Sequence, residues 1–158
     1  MQRYEMIKDI VYSNYAKIFN ESIRIEAIAH TCQVDSFSSL LATKRKLDLE
    51  TCKIIALLHD YAQFTQNCSH AIHAKMGAKL AYALLSETKS FSQEEIDGIC
   101  YAIHQHSLKN QKDNALCECI KDADLMARYF AHPDLKIEGI KKQRLQNVCA
   151  ELGLALTL

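Results

Sequence analysis

Only four glycines and one proline punctuate this 158-residue chain, and nowhere do β-branched residues alternate with polar ones over the length of a strand. A chain with so few turn residues and no period-two pattern is restricted to helices. Its apolar spacing agrees. Residues 2–19 carry Ile7, Ile10, Val11, Tyr15 and Ile18 on one stripe, and residues 21–46 carry Ile23, Ala27, Val34, Phe37 and Leu41. Asp48 is placed to cap a third helix, LETCKIIALLHD, which is apolar on nearly every side and so is expected at the centre of the fold. The segment YAQFTQNCS reads as a loop, with a fourth helix from His70 to Leu85. Ser92 and Glu95 form an S-x-x-E capping box that starts a fifth helix near Gln93, running past His104. The polar stretch SLKNQKDN breaks the pattern, residues 115–131 give a sixth helix, and Pro133 with Asp134 opens a last helical segment. No repeat, low-complexity tract or linker intervenes. The expectation is an all-α, single compact helical bundle over residues 1–158.

Charge narrows the classes of partner. Nineteen basic side chains balance nineteen acidic ones, so no global field draws the molecule to nucleic acid or an anionic membrane. A small anionic substrate held by a local site or a metal stays open. The opening MQRYEMIKDIVY has amphipathic spacing and acids where a secretory signal has a basic then apolar run, and no stretch is long and apolar enough to span a bilayer. Seven cysteines, an odd number mostly on helical positions, point to free thiols in a reducing, cytoplasmic compartment. Cys117 and Cys119 form a C-x-C pair without a second pair, and so read as buried or bystander thiols. The oligomeric state is left open.

The informative feature is which polar residues interrupt the apolar stripes. His30 sits between Ala27 and Val34, and His73 heads the stripe Met76, Leu80, Leu84. His106 follows Ile96, Ile99 and Ile103, while Asp124 lies between Ile120 and Ala127. The wholly apolar third helix ends in His59-Asp60. Each helix thus points an imidazole or carboxylate where the period demands an apolar group. Burying one such group unpaired costs several kcal/mol at roughly the worst. A single buried histidine is usually satisfied by a carbonyl. Five helices making the same costly choice are better explained by a shared cation than by five independent core polar groups.

The order His30, then His59-Asp60, then Asp124 resembles the HD superfamily of metal-dependent phosphohydrolases, which is all-helical. The flanking text is similar too: IIALLHDYA to the helix carrying the family's doublet, HAKMGAKLA to the H-x-x-x-G-A that follows, AIHQHS to A-I-x-x-H-S, and IKDADLMARY to the closing D-A-D. The resemblance spans about residues 23–130. It implies His30, His59, Asp60 and Asp124 as metal ligands, with His73 and His106 matching the extra histidines of members that hold two metals. Some of those members, the diadenosine tetraphosphate hydrolases, often read HDYAK, where this chain has Gln63. The H-D-x-x-E-D signature of the guanosine polyphosphate hydrolases is absent.

The resemblance implies a phosphohydrolase acting on a phosphate ester or anhydride, nucleotide-like, with one or two divalent transition ions. Mixed imidazole and carboxylate ligands suit Fe, Mn, Zn, Co or Ni. Such an ion acidifies water and polarises a phosphoryl oxygen, with Asp60 as the bridging ligand if two bind. The alternative is a metal- or nucleotide-binding sensor module without turnover. Asp122 is expected either to orient a ligand histidine or to be a solvated acid. His70 and His104 are candidates for substrate contact, for support of the ligands, or for plain surface, and His132 reads as surface. Lys109 is the expected phosphate-neutralising base, with Lys75, Lys79, Lys112 and Arg128 also able to meet a phosphate, although Arg128 stands one turn beyond Asp124 and can pair with it.

Overall fold

The computed structural model describes residues 1–156, and among them are eight helices and no strand: α1 (Gln2–Tyr15), α2 (Glu21–Arg45), α3 (Leu49–Leu58), α4 (Tyr61–Thr65), α5 (His73–Thr88), α6 (Gln93–Gln105), α7 (Ala115–Ala131) and α8 (Gly139–Glu151). The all-α expectation therefore holds. No helix among the described residues is long and apolar enough to cross a membrane.

Local chemistry explains the boundaries. Asp48 caps α3 by accepting from the Thr51 amide, and Ser92 and Glu95 close the expected capping box on α6. Asn20 and Asn114 cap α2 and α7 in the same way. Three boundaries differ from expectation. The segment after Asp60 is not wholly loop: α4 forms there because Ala62 and Phe64 find buried positions, although five residues are too few to show a period. The next helix starts at His73 rather than His70. Finally, Pro133 does not open the last helix. A turn closes between His132 and Leu135, the chain crosses irregularly to Gly139, and Gly139 takes a left-handed φ of 59° before α8 runs on.

The layers follow from burial. In α3, Ile54, Ile55, Ala56, Leu57 and Leu58 are all buried, and the helix packs against α1, α2, α6 and α7. This is the central helix its composition demanded, and its C-terminal end delivers His59 and Asp60 to the interior. α5 and α6 form one packed layer that meets α3 through α6, and α2 and α7 form another that meets it through both helices.

Gly77 on α5 sets how closely that layer approaches. A Cβ there would meet Ile103 Cγ2 at 3.2 Å and the His59 carbonyl oxygen at 3.3 Å. The carbonyl is backbone and has little room to give. Gly77→Ala is therefore expected to destabilise the protein by roughly 1–3 kcal/mol through overpacking, which a lowered melting temperature would register. An unchanged or raised melting temperature would mean that the α3–α5 seam yields.

Candidate metal centre

Six side chains from five helices converge at the end of α3. His30 comes from mid-α2, His59 and Asp60 from the α3 terminus, His73 from the first turn of α5, His106 from the end of α6, and Asp124 from α7. His59, Asp60, His73, His106 and Asp124 are buried, and His30 nearly so. They form two groups that share Asp60: His30, His59, Asp60 and Asp124, and Asp60, His73 and His106. In each, one donor atom per residue lies within 4.8 Å of the others.

Hydrogen bonding fixes which ring nitrogens face inward. The Nδ1–H groups of His59, His73 and His106 donate to the carbonyls of Ala56 (2.8 Å), His70 (2.6 Å) and Ile103 (2.7 Å). A carbonyl only accepts, so these Nδ1 atoms carry the protons and, in the neutral rings, each Nε2 presents a lone pair. The lone pairs face one another and the carboxylates. His73 Nε2 lies 3.0 Å from His106 Nε2, and each is 3.2 Å from Asp60 Oδ1. His59 Nε2 lies 3.2 Å from His30 Nε2 and 3.4 Å from Asp60 Oδ2. His30 Nε2 is 3.5 Å from Asp60 Oδ2 and 3.3 Å from Asp124 Oδ1.

This arrangement fits a cation. Asp60 Oδ1 is buried and receives no hydrogen bond, an orphan that a native interior rarely tolerates. Electron pairs aimed at one another over 3.0–3.5 Å repel unless positive charge stands among them. Donors about 2.1 Å from one ion stand about 3.0–3.4 Å apart in octahedral or tetrahedral geometry, so the observed spacings match a shared metal. Titration reflects the same excess of negative charge. Burial opposes charge on His30, yet Asp124 and Asp60 outweigh it and lift its pKa to about 9. Burial likewise opposes charge on both acids. His59 and the neighbouring imidazoles nevertheless hold Asp60 well below the usual carboxylate range, and Lys109, His30 and Arg128 do so for Asp124. Burial pushes the pKa of His106 down.

The surroundings hold these ligands in place. Lys109 Nζ, buried, donates to Asp124 Oδ2 at 2.6 Å and to the His106 carbonyl at 2.7 Å, tying the two ligand groups together. Arg128 donates from Nε to Asp124 Oδ1 at 2.9 Å and reaches Asp60 Oδ2 at 3.4 Å. Two openings lead to the cluster. A cavity of about 350 Å³ takes in His70, His106, Lys109, Asp124 and Arg128, and its outer wall is Leu135, Lys136, Ile137, Glu138 and Lys141. A smaller one, about 130 Å³, takes in His30, Asp60, Gln63, Arg128 and His132. Arg128 lines both.

Several expectations need correction. Asp122 orients no histidine: its two oxygens accept from Arg45 (2.6 Å) and Arg144 (2.8 Å), on the far side of α7 from Asp124. Nor is it solvated, being buried. His104 is exposed on α6 and lines neither opening, while its neighbour His106 turns inward. Lys75 and Lys79 are exposed on α5 and line neither opening, and Lys112 lies by Arg45 and Arg144 instead. Lys109 does reach the cavity, but its charge is engaged by Asp124, so it braces a ligand before it can meet a phosphate. His70 stacks on His73, with ring centroids 4.6 Å apart and planes 14° from parallel, at the cavity wall. Burial, together with His73, Arg128 and Lys141, holds its pKa below the ordinary imidazole value. His132 is exposed, as expected, at the rim of the smaller opening.

A helical bundle that gathers imidazoles and carboxylates from five helices around one bridging aspartate is, in class, a metal-binding domain. The chain belongs to the HD domain family, which matches it over residues 27–129. It is also similar to the crystal structure of a predicted HD superfamily hydrolase from an uncultured Thermotogales bacterium. The two are 25% identical, the match covers 94% of this chain and 88% of that one, and the TM-score is 0.64. No curated protein matches the chain.

Proposed function

We propose that this chain is a metal-dependent phosphohydrolase that cleaves a phosphate ester or anhydride of nucleotide-like size, working in a reducing, cytoplasmic setting. The observation that carries the reading is the 350 Å³ cavity, which ends on His106 and Asp124 and so brings a small molecule against the candidate ligands. A sensor module that bound only metal would have no use for such a passage, whereas one that bound a nucleotide would, so turnover separates the two readings. All seven cysteines are free thiols, in keeping with the compartment.

His30, His59, Asp60 and Asp124 would hold one divalent ion and Asp60, His73 and His106 a second, chosen from Fe, Mn, Zn, Co or Ni. Such ions acidify bound water and draw charge from a phosphoryl oxygen. The rest falls to side chains of this protein. Asp60 presents one oxygen to each group, so its position sets the distance between them. The backbone carbonyls at Ala56, His70 and Ile103 keep three imidazoles in the tautomer that leaves Nε2 free. Lys109 fixes Asp124. Arg128, tethered through Nε to Asp124 and more loosely through Nη2 to Asp60, offers its remaining guanidinium donors at the junction of the two openings, where they can offset charge on equatorial oxygens.

Turnover of an aryl phosphate and of a nucleotide panel with added Mn²⁺ tests the reading; tight metal binding without hydrolysis of any member would favour the sensor module. Metal should also stabilise the fold. At a free concentration a hundredfold above Kd, a ligand that binds only the native state contributes about 2.7 kcal/mol. For a domain of this size chelation should then lower the melting temperature by about 5–10 °C. Identical melting curves with and without chelator would contradict a bound ion.

A further inference from the structure

Most of the 350 Å³ cavity is accounted for by the cluster on its floor, but its outer wall is not. That wall comes from residues 135–141, beyond the family match at 27–129. It carries two lysines, Lys136 and Lys141, and neither forms an ion pair with any described residue. The other cations of the lining are committed: Lys109 and Arg128 both bond to Asp124. Leu125, Leu135 and Ile137 add aliphatic surface to the same lining, and no Phe, Tyr or Trp lines the cavity.

The wall is also braced. Arg144 of α8 donates to Asp122, to Glu118 and to the Lys109 carbonyl, and Glu151 at the end of the same helix pairs with Arg45. These bonds fasten α8, and with it Lys141, to α7 and α2. Lys141 therefore stands on a fixed helix facing the cavity, not on a loose tail.

Resting on the phosphohydrolase reading, we propose that the substrate carries a second anionic group besides the phosphoryl group that is cleaved, and that Lys136 and Lys141 bind it. The chemistry that recognises such a group is two uncommitted ammonium ions in the same cavity as the candidate metal ligands His106 and Asp124. Glu138, the one acid on that wall, lies between them in sequence and leaves the lysine pair in excess. No Phe, Tyr or Trp is among the lining residues to stack on a nucleobase, and the His70 ring already stacks on His73, so selection works through charge at both ends of a compact molecule. If the substrate is a nucleotide, its second phosphate meets the lysines and its base lies outside the cavity. The class is thus an anhydride with two adjacent phosphates, or a phosphorylated acid, in preference to a monoester with a single charged group.

The test is a ratio. For the Mn²⁺-loaded protein, kcat/KM is measured on p-nitrophenyl phosphate, which has one anionic group, and on a nucleoside diphosphate and a phosphorylated hydroxy acid, which have two. The wild type should favour a two-anion substrate, and Lys136→Ala/Lys141→Ala should lower that preference at least about tenfold, the scale of one lost charge-assisted contact. Lys136→Arg/Lys141→Arg should restore it, while Lys79→Ala, on the exposed face of α5, should leave it unchanged. A ratio unaltered in the double alanine variant, with wild-type turnover intact, would overturn the proposal and spare the phosphohydrolase reading. If no substrate is turned over, the hydrolase reading fails separately, and calorimetry with methylenediphosphonate against methylphosphonate decides the subsite. Weaker binding of the diphosphonate alone in the double variant supports it, and equal binding by variant and wild type rejects it.

Discussion

Asp60→Asn is expected to strip the protein of metal and of activity together, while leaving it folded. Asp60 is the one side chain common to both ligand groups, with Oδ1 3.2 Å from the Nε2 atoms of His73 and His106 and Oδ2 within 3.5 Å of those of His30 and His59. An amide of the same shape keeps one oxygen and replaces the other with an NH₂ that donates. That donor can satisfy an imidazole lone pair, so the variant needs no ion to relieve its interior. Metal bound after purification should fall to a small fraction of the wild-type content. Activity should fall about 10³-fold or more, since metal stabilisation of a phosphoryl transition state is worth several kcal/mol and each 1.36 kcal/mol is a decade. The decisive reading is thermal: chelator should lower the melting temperature of the wild type and leave that of Asp60→Asn in place. Near-full metal content in the variant would remove Asp60 from the centre of the site.

Much of this arrangement is legible in the sequence because burial makes polar residues conspicuous. His30, His73, His106 and Asp124 each stand at a core position of an otherwise apolar stripe, and all four meet at the end of α3 in the structure. The same periodicity accounts for Asp122. Two residues advance about 200° around an α-helix, so Asp122 and Asp124 cannot face the same site, and Asp122 turns instead to Arg45 and Arg144. His104 and His106 obey the same rule. Periodicity has nothing to say where there is none. The wall at residues 135–138 is irregular chain, and its place over the cavity depends on how α7 and α8 dock. Lys121 is fully buried among Asp113, Glu118 and the Gln111 carbonyl, pinning the loop before α7, although its sequence context is that of an exposed base. These partners are close in sequence, but the turn that brings Gln111 and Asp113 back to Lys121 carries no periodic signal.

The roles of Lys109 and Arg128 can be separated by two variants that look alike on paper. Both bases bond to Asp124, but Lys109 is buried whereas the Arg128 side chain is 40% exposed where the two openings meet. Lys109→Met leaves Asp124 Oδ2 and the His106 carbonyl without the donor they share, and both belong to residues of the candidate ligand set. A group that supports a ligand in this way is worth about 10–100-fold in metal affinity. The variant should therefore bind Mn²⁺ more weakly and recover much of its rate when Mn²⁺ is raised. Arg128→Met leaves Asp124 held by Lys109 and costs Asp60 Oδ2 only a long 3.4 Å contact, so metal content should stay near that of the wild type. What it removes is positive charge positioned for the phosphoryl oxygens, and loss of one such donor typically slows turnover by about 10²–10³-fold. Added Mn²⁺ should not restore that rate, because the ion is already bound. A metal titration of activity for the two variants thus gives one curve that climbs back and one that stays flat. If Lys109→Met were flat and Arg128→Met climbed, the roles would be exchanged, with Lys109 acting on the substrate and Arg128 on the ligand Asp124.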